Sequence, residues 1–452
     1  VFVRLYNAAG NLIGQTSTDV DGHFMFPALN DGQNYLLEYD LPDDRRVSAI
    51  GVNNGTEVQK VTIPYCSADL ALTSGQSTCG NSSEIILSCF ANDIVGNNDA
   101  QETIVGLTHD FNAASPVSVY ATKGETGSVW GMAFNSRSAT IYSAAFVKQH
   151  ASLTEHGHDA IFATRANESN STVLFAKLSD LGQEVGELTA TDATDCSYGQ
   201  QVGKIGLGAL EMDDNNTRLF VTNLYNNSIV SVDLENPNSS TTRKYNVPNP
   251  ACSFNDFRIF ALKYHEGRLY TGVTCTAETS KEEDDTYIHV YSLDLESSNF
   301  TLEFSTDYSR GVWTDENDNA TLVAQWLTDI EFTDEGNMVL ALSDRKGHNY
   351  CRGVTSRLDD QSGNILLVER INNTWVLENN GATSQLTGTG ANNGEGPGGG
   401  EFFGDDFFPG DPGNQPEVAL GSIVAIPGTG EVITAVFDPL FNTYSGGLHS
   451  YN

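Results

Sequence analysis

Apolar and polar residues alternate along short segments through most of the 452-residue chain, and clusters of Asn, Asp and Gly separate these segments. A period of two residues, broken by turn residues, is typical of antiparallel β-strands. The clearest case covers residues 206–234, where GLGALEM, RLFVTNL and SIVSVDL are separated by DDNNT and YNN. The pattern therefore predicts an all-β protein.

The three-strand pattern recurs five times from about residue 126 onward, in units that begin at SVWGMAF, GLGALEM, IFALKYH, WLTDIEF and LGSIVAI. Residues 104–122 are a candidate for a sixth unit. Repeated antiparallel units of three or four strands are typical of a β-propeller, in which each sheet covers its neighbours. We expect residues 104–452 to form a propeller of five to seven blades. A two-sheet sandwich or a β-solenoid is the competing interpretation.

The first 64 residues show a different pattern, with strands such as VFVRLYN, NLIGQT, HFMF and NYLLEY separated by tight turns. They predict a small β-sandwich over residues 1–64. Residues 65–103 contain three cysteines within 24 residues and are expected to be a cysteine-containing linker between the two domains. Disulfides in this linker would hold the domains at a fixed angle.

The charge of the chain excludes several classes of partner. Lysine and arginine number 23 against 59 acidic residues, a formal net charge of -36. Phosphate backbones would be repelled, so we expect no nucleic-acid partner. No apolar run approaches the roughly 20 residues needed to cross a bilayer, which predicts no direct membrane insertion of this fragment. Both ends look like cuts in a longer polypeptide, whose targeting segments are missing here.

Cysteines and glycosylation sequons point to an extracellular or cell-surface location. Seven cysteines occur without a CxxC pair, which favours disulfides over zinc, with one cysteine left free or paired outside this fragment. Cys66, Cys79 and Cys89 are expected to take part. Glycans on N-x-S/T sequons would be solvated in polar turns. The ten sequons begin at Asn54, Asn81, Asn167, Asn170, Asn215, Asn226, Asn238, Asn299, Asn319 and Asn372.

The order RLYNxxGN, TDVDGHFMF and NYxLxYxLP in residues 1–64 resembles the Cna-B or SdrD B-like modules of surface proteins. Over nearly the whole chain, the order CSADL, SCFAND, VGKIGLGALE, PNPACSFNDF and GPGGGEFF is similar to surface proteins that combine such modules with a propeller, including mastigoneme-type filament glycoproteins. The resemblance implies a structural role without catalytic residues. On family order and on hairpin spacing, Cys252 and Cys275 are the favoured disulfide pair.

The stretch GEGPGGGEFFGDDFFPGD, residues 394–411, combines a glycine run with carboxylates and phenylalanine pairs, as binding loops often do. A phosphate loop is excluded, because Glu401 and Phe402 stand where a lysine and a hydroxyl would be needed. One hypothesis is a calcium site, with ligands from Glu401, Asp405, Asp406 and Asp411. Packing or a subunit interface is the favoured interpretation, and it involves Phe402, Phe403, Phe407 and Phe408.

These observations predict a secreted, glycosylated structural protein that acts by assembly, as a homo-oligomeric subunit of an extracellular filament or appendage. We expect it not to be an enzyme. A propeller adhesin that binds glycan or protein is the alternative. A glycoside hydrolase is a further alternative, and it would use the acid pair Asp329 and Glu331, which share one side of a predicted strand.

Overall fold

The structure is a computed structural model, and the chain in it divides into two compact units, residues 1–82 with 427–429 and residues 83–426 with 430–452. Both are built from antiparallel β-sheets, so the prediction of an all-β protein is confirmed. The described residues are 1–19, 22–41, 45–47, 58–65, 68–74, 83–93, 99–112, 115–168, 171–308, 311–314, 324–349, 351, 363–394, 396–404, 419–437 and 446–451.

The smaller unit contains a four-stranded sheet in the order β2-β1-β3-β5 and a two-stranded sheet of β4 and β6. Alternate residues of β1 and β3 point into its core, where Val3 and Leu5 pack with Tyr35 and Leu37. The predicted strand HFMF is not a strand in the structure. The strands are β1 Phe2–Asn7, β2 Leu12–Ser17, β3 Asn34–Asp40, β4 Arg45–Val47, β5 Val58–Thr62 and β6 Leu72–Ser74.

The larger unit follows the repeated pattern in the sequence. Its first three sheets contain β7 Glu84–Ser88, β8 Glu102–Thr108, β9 Ser118–Thr122; β10 Val129–Asn135, β11 Thr140–Ala145, β12 Ala160–Arg165, β13 Val173–Lys177; and β14 Leu207–Met212, β15 Arg218–Asn223, β16 Ser228–Asp233, β17 Arg243–Asn246. The next three contain β18 Phe257–His265, β19 Arg268–Cys275, β20 Tyr287–Asp294, β21 Asn299–Thr306; β22 Gln325–Phe332, β23 Met338–Asp344, β24 Asn364–Ile371, β25 Thr374–Leu377; and β26 Ala419–Ile426, β27 Glu431–Phe437, β28 Gly446–Tyr451.

Among the described residues, the helices of the larger unit are single turns in the connections between strands. Two 3₁₀ turns cover Ser253–Asn255 and Glu283–Asp285. The described α-helices are α1 Lys123–Thr126, α2 Cys196–Gly199 and α3 Lys346–Asn349. In the part of the chain that the structure describes, no helix has the length and apolar character needed to cross a membrane.

The six sheets of the larger unit follow one another as antiparallel meanders. Their first strands contact one another in turn, β7 with β10, β10 with β14, β14 with β18, β18 with β22 and β22 with β26. His109, in the turn after β8, bonds through Nε2 to Glu431 Oε2 at the start of β27, at 2.6 Å, and so links the first sheet to the sixth. Radial sheets joined through their first strands make a propeller-like arrangement.

A β-bulge recurs in the first strand of five sheets. The pairing register with the second strand shifts between Val129/Met132, Leu207/Leu210, Ile259/Leu262, Leu327/Asp329 and Ala419/Ile423. An extra residue on one strand bends that strand and increases its twist. The same bend in each sheet lets the first strands turn around a common axis.

Buried threonines connect the third, fourth, fifth and sixth sheets of the larger unit. Thr222 Oγ1 in β15 donates to the carbonyl of Phe260 in β18 at 3.0 Å, and Thr274 Oγ1 in β19 accepts from Leu327 N in β22 at 3.0 Å. Thr328 Oγ1 in β22 donates to Gly421 O in β26 at 2.6 Å. The bulges free backbone groups from the ladder, and these hydroxyls satisfy them.

The segment expected to be a linker differs in the structure. The compact units divide between Ser82 and Ser83, whereas the predicted domain boundaries lie after residues 64 and 103. The apolar run EIILS forms β7 and pairs with β8, with Leu87 opposite Val105. An apolar strand is stable only when it is paired and covered, which draws residues 83–103 into the larger unit.

The close packing of neighbouring sheets can be tested at Gly421. A Cβ there would lie 2.5 Å from both Thr328 Oγ1 and Ser343 Cβ. Gly336 has a similar positive φ of 79° and open space around it, so Gly336→Ala isolates the backbone cost, about 1 kcal/mol. We expect Gly421→Ala to lower the free energy of unfolding by about 2 kcal/mol more than this control in urea denaturation. An equal loss in the free energy of unfolding for Gly421→Ala and Gly336→Ala would contradict close packing at Gly421.

Candidate functional site: the long-loop end of the larger unit

The two ends of the larger unit are built differently. At the short-turn end, brief turns such as 213–217 and 266–267 join the first strand of a sheet to the second, and others join the third to the fourth. At the long-loop end, longer segments such as 146–159, 178–206 and 276–286 join second strands to third strands and each sheet to the next. Function in such folds is concentrated in loops that a rigid scaffold positions, so the long-loop end is the candidate site.

An aromatic plug of Trp130, Phe146, Phe260 and Trp326 fills the axis beneath these loops. The ring centroids of Trp130 and Phe260 are 4.9 Å apart, and those of Phe260 and Trp326 are 4.5 Å apart. Trp130, Phe260 and Trp326 belong to β10, β18 and β22, and Phe146 follows β11. The sheet of β10 is not adjacent to the sheets of β18 and β22, so the contact of their rings places them at the centre. All four side chains are buried. Edge-to-face ring packing of this kind stabilises a core beyond the burial of its area.

Arg345 covers the plug and ties three loops together. Its guanidinium carbon lies 4.6 Å from the ring centroid of Trp313. The guanidinium donates to the carbonyls of Val202 at 3.0 Å, Thr314 at 2.9 Å and Gln200 at 3.3 Å. A planar cation with five donors suits this arrangement, because it satisfies several buried loop carbonyls at once. Arg345 therefore holds these loops together at the long-loop end of the axis.

His348 and Lys148 lie beside Arg345. His348 Nε2 contacts Ser343 Oγ at 3.0 Å, and burial lowers the pKa of His348 well below its usual value, so the imidazole is neutral. Lys148 Nζ donates to Gly347 O at 2.6 Å and lies 4.9 Å from the ring centroid of Phe90. Burial lowers the pKa of Lys148 to about 7. This is an amine that loses its proton near neutral pH, and its hydrogen bond holds it against the loop.

Two disulfides fasten the long-loop end. Cys252 and Cys275, the favoured pair, are joined, with Cα atoms 5.4 Å apart. A second disulfide joins Cys196 in α2 to Cys351 after α3, with Cα atoms 5.0 Å apart and 155 residues between them in sequence. Spacing along the chain offers no signal for this second pair, because its loops come from different sheets. Both bonds reduce the freedom of loops at this end.

Cys89 departs from the expectation, because it is a free cysteine in the structure. It follows β7, where its backbone N donates to Thr103 O at 2.9 Å, and its side chain is half-buried in the first sheet. Burial raises the pKa of its thiol to about 11, so it is protonated and weakly reactive. Cys66 and Cys79 lie outside the described residues.

One set of metal-ligand residues comes together among the described residues, Cys252, Cys275 and His289. His289 Nε2 lies 3.5 Å from Cys275 Sγ, and burial lowers the pKa of the imidazole to about 4. Zinc binds cysteine as the thiolate. Both sulfurs are bonded to each other, so the set does not offer thiolate ligands in this state.

The acid pair considered for hydrolysis is tied into the contacts between sheets. Glu331 Oε1 in β22 accepts from Lys263 Nζ in β18 at 2.7 Å, and Glu211 Oε1 in β14 lies 3.8 Å from the same ammonium. Asp329 Oδ2 accepts from Ile423 N in β26 at 3.0 Å. Burial raises the pKa of Glu211 to about 7 and that of Asp329 well above its usual value. These acids therefore join four neighbouring sheets.

The glycine-rich stretch lies partly within the described residues. Phe403 is buried, with its ring centroid 5.7 Å from that of Tyr451, and Phe402 packs beside it. Phe403 therefore belongs to the core of the sixth sheet and is not available as a subunit interface. Glu401 is also buried. The remaining predicted residues, Asp405, Asp406, Phe407, Phe408 and Asp411, lie outside the described residues.

The described sequons are distributed unevenly between the two ends. Five of them lie in or beside short turns, namely Asn167, Asn215, Asn238, Asn299 and Asn372, and all but the half-buried Asn238 are exposed. Asn226 lies at the long-loop end, is half-buried and donates from Nδ2 to Glu184 O at 3.2 Å. Asn54, Asn81, Asn170 and Asn319 lie outside the described residues.

The chain is similar to the colossins of Dictyostelium discoideum. It is 26% identical to Colossin-C over 89% of this chain and 43% of Colossin-C, and 27% identical to Colossin-B over 95% of this chain and 12% of Colossin-B. It is 24% identical to Colossin-A over 97% of this chain and 4% of Colossin-A. The chain thus spans less than half the length of each of these relatives. No protein-family model matches it.

Solved structures show only distant likenesses. They include the β-propeller domain of Cps50 (Swd1) of Myceliophteria thermophila, with a TM-score of 0.30 and 10% identity over 61% of this chain and 64% of that chain. A nidogen/laminin complex has a TM-score of 0.33 and 9% identity over 65% of this chain and 91% of that chain. Both TM-scores lie below 0.5, and the propeller-like arrangement rests on the strand pairing within this chain.

The role of Lys263 as the cation between two acids can be tested by Lys263→Met. The substitution leaves Glu211 and Glu331 facing each other, so we expect a loss of about 3 kcal/mol in the free energy of unfolding at pH 8. Because the folded pKa of Glu211 is about 7, above its ordinary value, its ionisation opposes folding as the pH rises through 7. The loss should therefore shrink at pH 5.

Lys244→Met is the matched control, since Lys244 is an exposed lysine in β17. We expect it to change the free energy of unfolding by less than about 0.5 kcal/mol at either pH. Urea denaturation of the three proteins at pH 5 and pH 8 measures both effects. A loss for Lys263→Met that does not depend on pH would contradict the electrostatic role of the lysine.

Proposed function

We propose that the chain is part of a secreted, N-glycosylated structural protein that acts by assembly, and that the long-loop end of the larger unit is its contact surface. In this proposal the larger unit is a six-bladed propeller, and the smaller unit is a Cna-B-like sandwich that serves as a stalk. The whole protein would be a homo-oligomeric subunit of an extracellular filament or surface appendage. Its action would not be catalytic.

The observation that carries the proposal is the one-sided placement of the sequons. Four exposed sequons project from the short-turn end, at Asn167, Asn215, Asn299 and Asn372. Glycans there would cover that end with a hydrated layer and keep other proteins away. At the long-loop end the described sequon, Asn226, is half-buried and hydrogen-bonded. Among the described residues, the exposed sequons thus lie at the short-turn end, which leaves the long-loop end suited to contact.

The long-loop end also presents a rigid aromatic group. Phe254 is 71% exposed and has a φ of 55°, a backbone conformation that bulky residues rarely adopt. The Cys252–Cys275 disulfide holds the chain two residues before Phe254, and the adjacent Ser253 donates from Oγ to Asp285 Oδ1 in the next loop at 2.8 Å. Strain that a rigid frame maintains is often functional, and aromatic anchors dominate protein interfaces.

Other features support an extracellular and structural role. Two disulfides persist best in an oxidising compartment. The relatives are longer than this chain, which suits a segment of a larger multi-part protein. The aromatic plug occupies the axis, and the acids that a hydrolase would use bind Lys263 and a backbone N–H. The likeness to mastigoneme-type filaments stays a prediction.

A glycan- or protein-binding adhesin is the second candidate. Phe254 supports it, and so does the exposed Tyr287 on the strand that follows loop 276–286. Aromatic faces bind sugars and peptides on monomeric propellers as readily as they bind other subunits. The two functions share a contact surface, and they differ in whether that surface binds a second copy of the chain.

The test adds one glycan to each end in turn. Asp284→Asn creates the sequon Asn-Asp-Thr at the long-loop end, and Glu296→Asn creates Asn-Ser-Ser at the short-turn end. Both positions are exposed acids in connections of the same sheet, so the variants are matched. We expect glycosylated Asp284→Asn protein from a secretory host to lose assembly in analytical ultracentrifugation, while Glu296→Asn assembles like the wild type.

Glycopeptide mass spectrometry of the same samples establishes which sequons are occupied. Equal assembly by both glycosylated variants would contradict a contact at the long-loop end. Monomeric wild type whose capture of glycan or protein ligands is lost only in Asp284→Asn would instead establish the adhesin. Empty sequons at Asn167, Asn215, Asn299 and Asn372 would remove the observation on which the proposal rests.

A further inference from the structure

One imidazole at the long-loop end is buried without adequate hydrogen bonds. His289 is 6% exposed, and its Nδ1 has no hydrogen-bond partner among the described residues. Its Nε2 lies 3.5 Å from Cys275 Sγ, and sulfur is a weak hydrogen-bond partner. Burying a polar group in this way costs free energy, which indicates that the imidazole does more than fill space.

The strand pairing directs His289 toward the Cys252–Cys275 disulfide. His289 in β20 pairs with Val273 in β19, so its side chain lies on the same face of the sheet as that of Cys275, two residues along. Cys252, just before the 3₁₀ turn Ser253–Asn255, brings the second sulfur to this face. The two sulfurs and one imidazole nitrogen all lie within 4.8 Å of one another.

The spacing of these atoms fits a tetrahedral zinc ion. Zinc takes cysteine sulfur at about 2.3 Å and histidine nitrogen at about 2.0 Å, so a sulfur and a nitrogen on one zinc are about 3.5 Å apart. Cys275 Sγ and His289 Nε2 already have this separation, 3.5 Å. Two zinc-bound sulfurs are about 3.8 Å apart. The Cys252 and Cys275 side chains reach that spacing by rotation once the disulfide is broken, because their Cα atoms are only 5.4 Å apart.

We propose that reduction of the Cys252–Cys275 disulfide converts this cluster into a zinc site with Cys252, Cys275 and His289 as ligands. A water molecule takes the fourth position, as in other zinc sites with three protein ligands. In the oxidised protein the disulfide holds the loop that carries Phe254, and in the reduced protein zinc holds it instead. This site does not depend on the proposed assembly.

The conversion takes two electrons from a dithiol. One thiolate of the dithiol attacks Cys252 Sγ, because Cys252 is 8% exposed and Cys275 is 2% exposed, and Cys275 leaves as a thiolate. The second thiolate of the dithiol then attacks its own partner sulfur in the mixed disulfide, which closes the oxidised dithiol as a cyclic disulfide and releases Cys252. Zinc binds both cysteines as thiolates, and the two protons that the dithiol brought pass to the solvent.

The experiment uses the whole chain, reduced with dithiothreitol, desalted without oxygen and titrated with cobalt chloride as a coloured substitute for zinc. We expect the reduced wild type to bind one cobalt, with a sulfur-to-cobalt charge-transfer band and the intense visible bands of a tetrahedral site, and zinc chloride to displace it. The oxidised wild type should show neither absorption. His289→Asn should bind cobalt at least about tenfold more weakly, because one ligand is lost.

His265→Asn is the matched control. His265 is a half-buried histidine in β18 of the same sheet, and its ring stacks on Phe332 with the centroids 3.9 Å apart. We expect this variant to bind cobalt like the wild type. Equal cobalt affinity in His289→Asn and the wild type would overturn the proposal.

A second measurement needs no variant. Zinc should protect Cys252 and Cys275 of the reduced wild type from alkylation by iodoacetamide, as read by peptide mass spectrometry, and leave Cys196 and Cys351 reactive. Reduced wild type that gives no sulfur-to-cobalt band, or zinc that protects other cysteines and not this pair, would exclude the site whether or not the His289→Asn variant folds.

Discussion

The larger unit depends on the contact between the first strands of neighbouring sheets. Each sheet has two apolar faces, and only the next sheet can cover them. The recurring bulge bends these strands around one axis, and Thr222, Thr274 and Thr328 bond to the backbone of the adjacent sheet. The plug fills the remaining space at the centre. The loops at the two ends are thereby held on a rigid frame. This rigidity allows the long-loop end to serve as a contact surface.

Much of this frame is visible in the sequence, because short turns connect strands whose apolar residues alternate. GLGALEM, RLFVTNL and SIVSVDL correspond to β14, β15 and β16. The fourth strands are harder to predict: β17, RKYN, is short and largely polar because it lies at the outer edge of its sheet. The three cysteines within 24 residues make EIILS look like part of a linker, and its partner strand begins 14 residues after it ends.

The candidate sites are less visible, because their members meet only through tertiary structure. Asp329 and Glu331 look like an acid pair in isolation, but Lys263 comes from a different sheet. Cys196 and Cys351 are far apart in sequence and are joined because two loops meet at one end. The end at which each described sequon lies follows from strand order, so it could be deduced once the sheets are assigned. The exposed fraction of each Asn side chain could not be deduced in this way, because it depends on tertiary packing.

The central claim is that this protein acts through contacts made at one end of a rigid propeller. Electron microscopy of the native, unfractionated protein from its source tests it most directly. The account predicts regular assemblies in which propeller-sized particles touch neighbours through the long-loop end, with glycan density on the opposite end. Monodisperse single particles, or assemblies joined through the short-turn end, would contradict it.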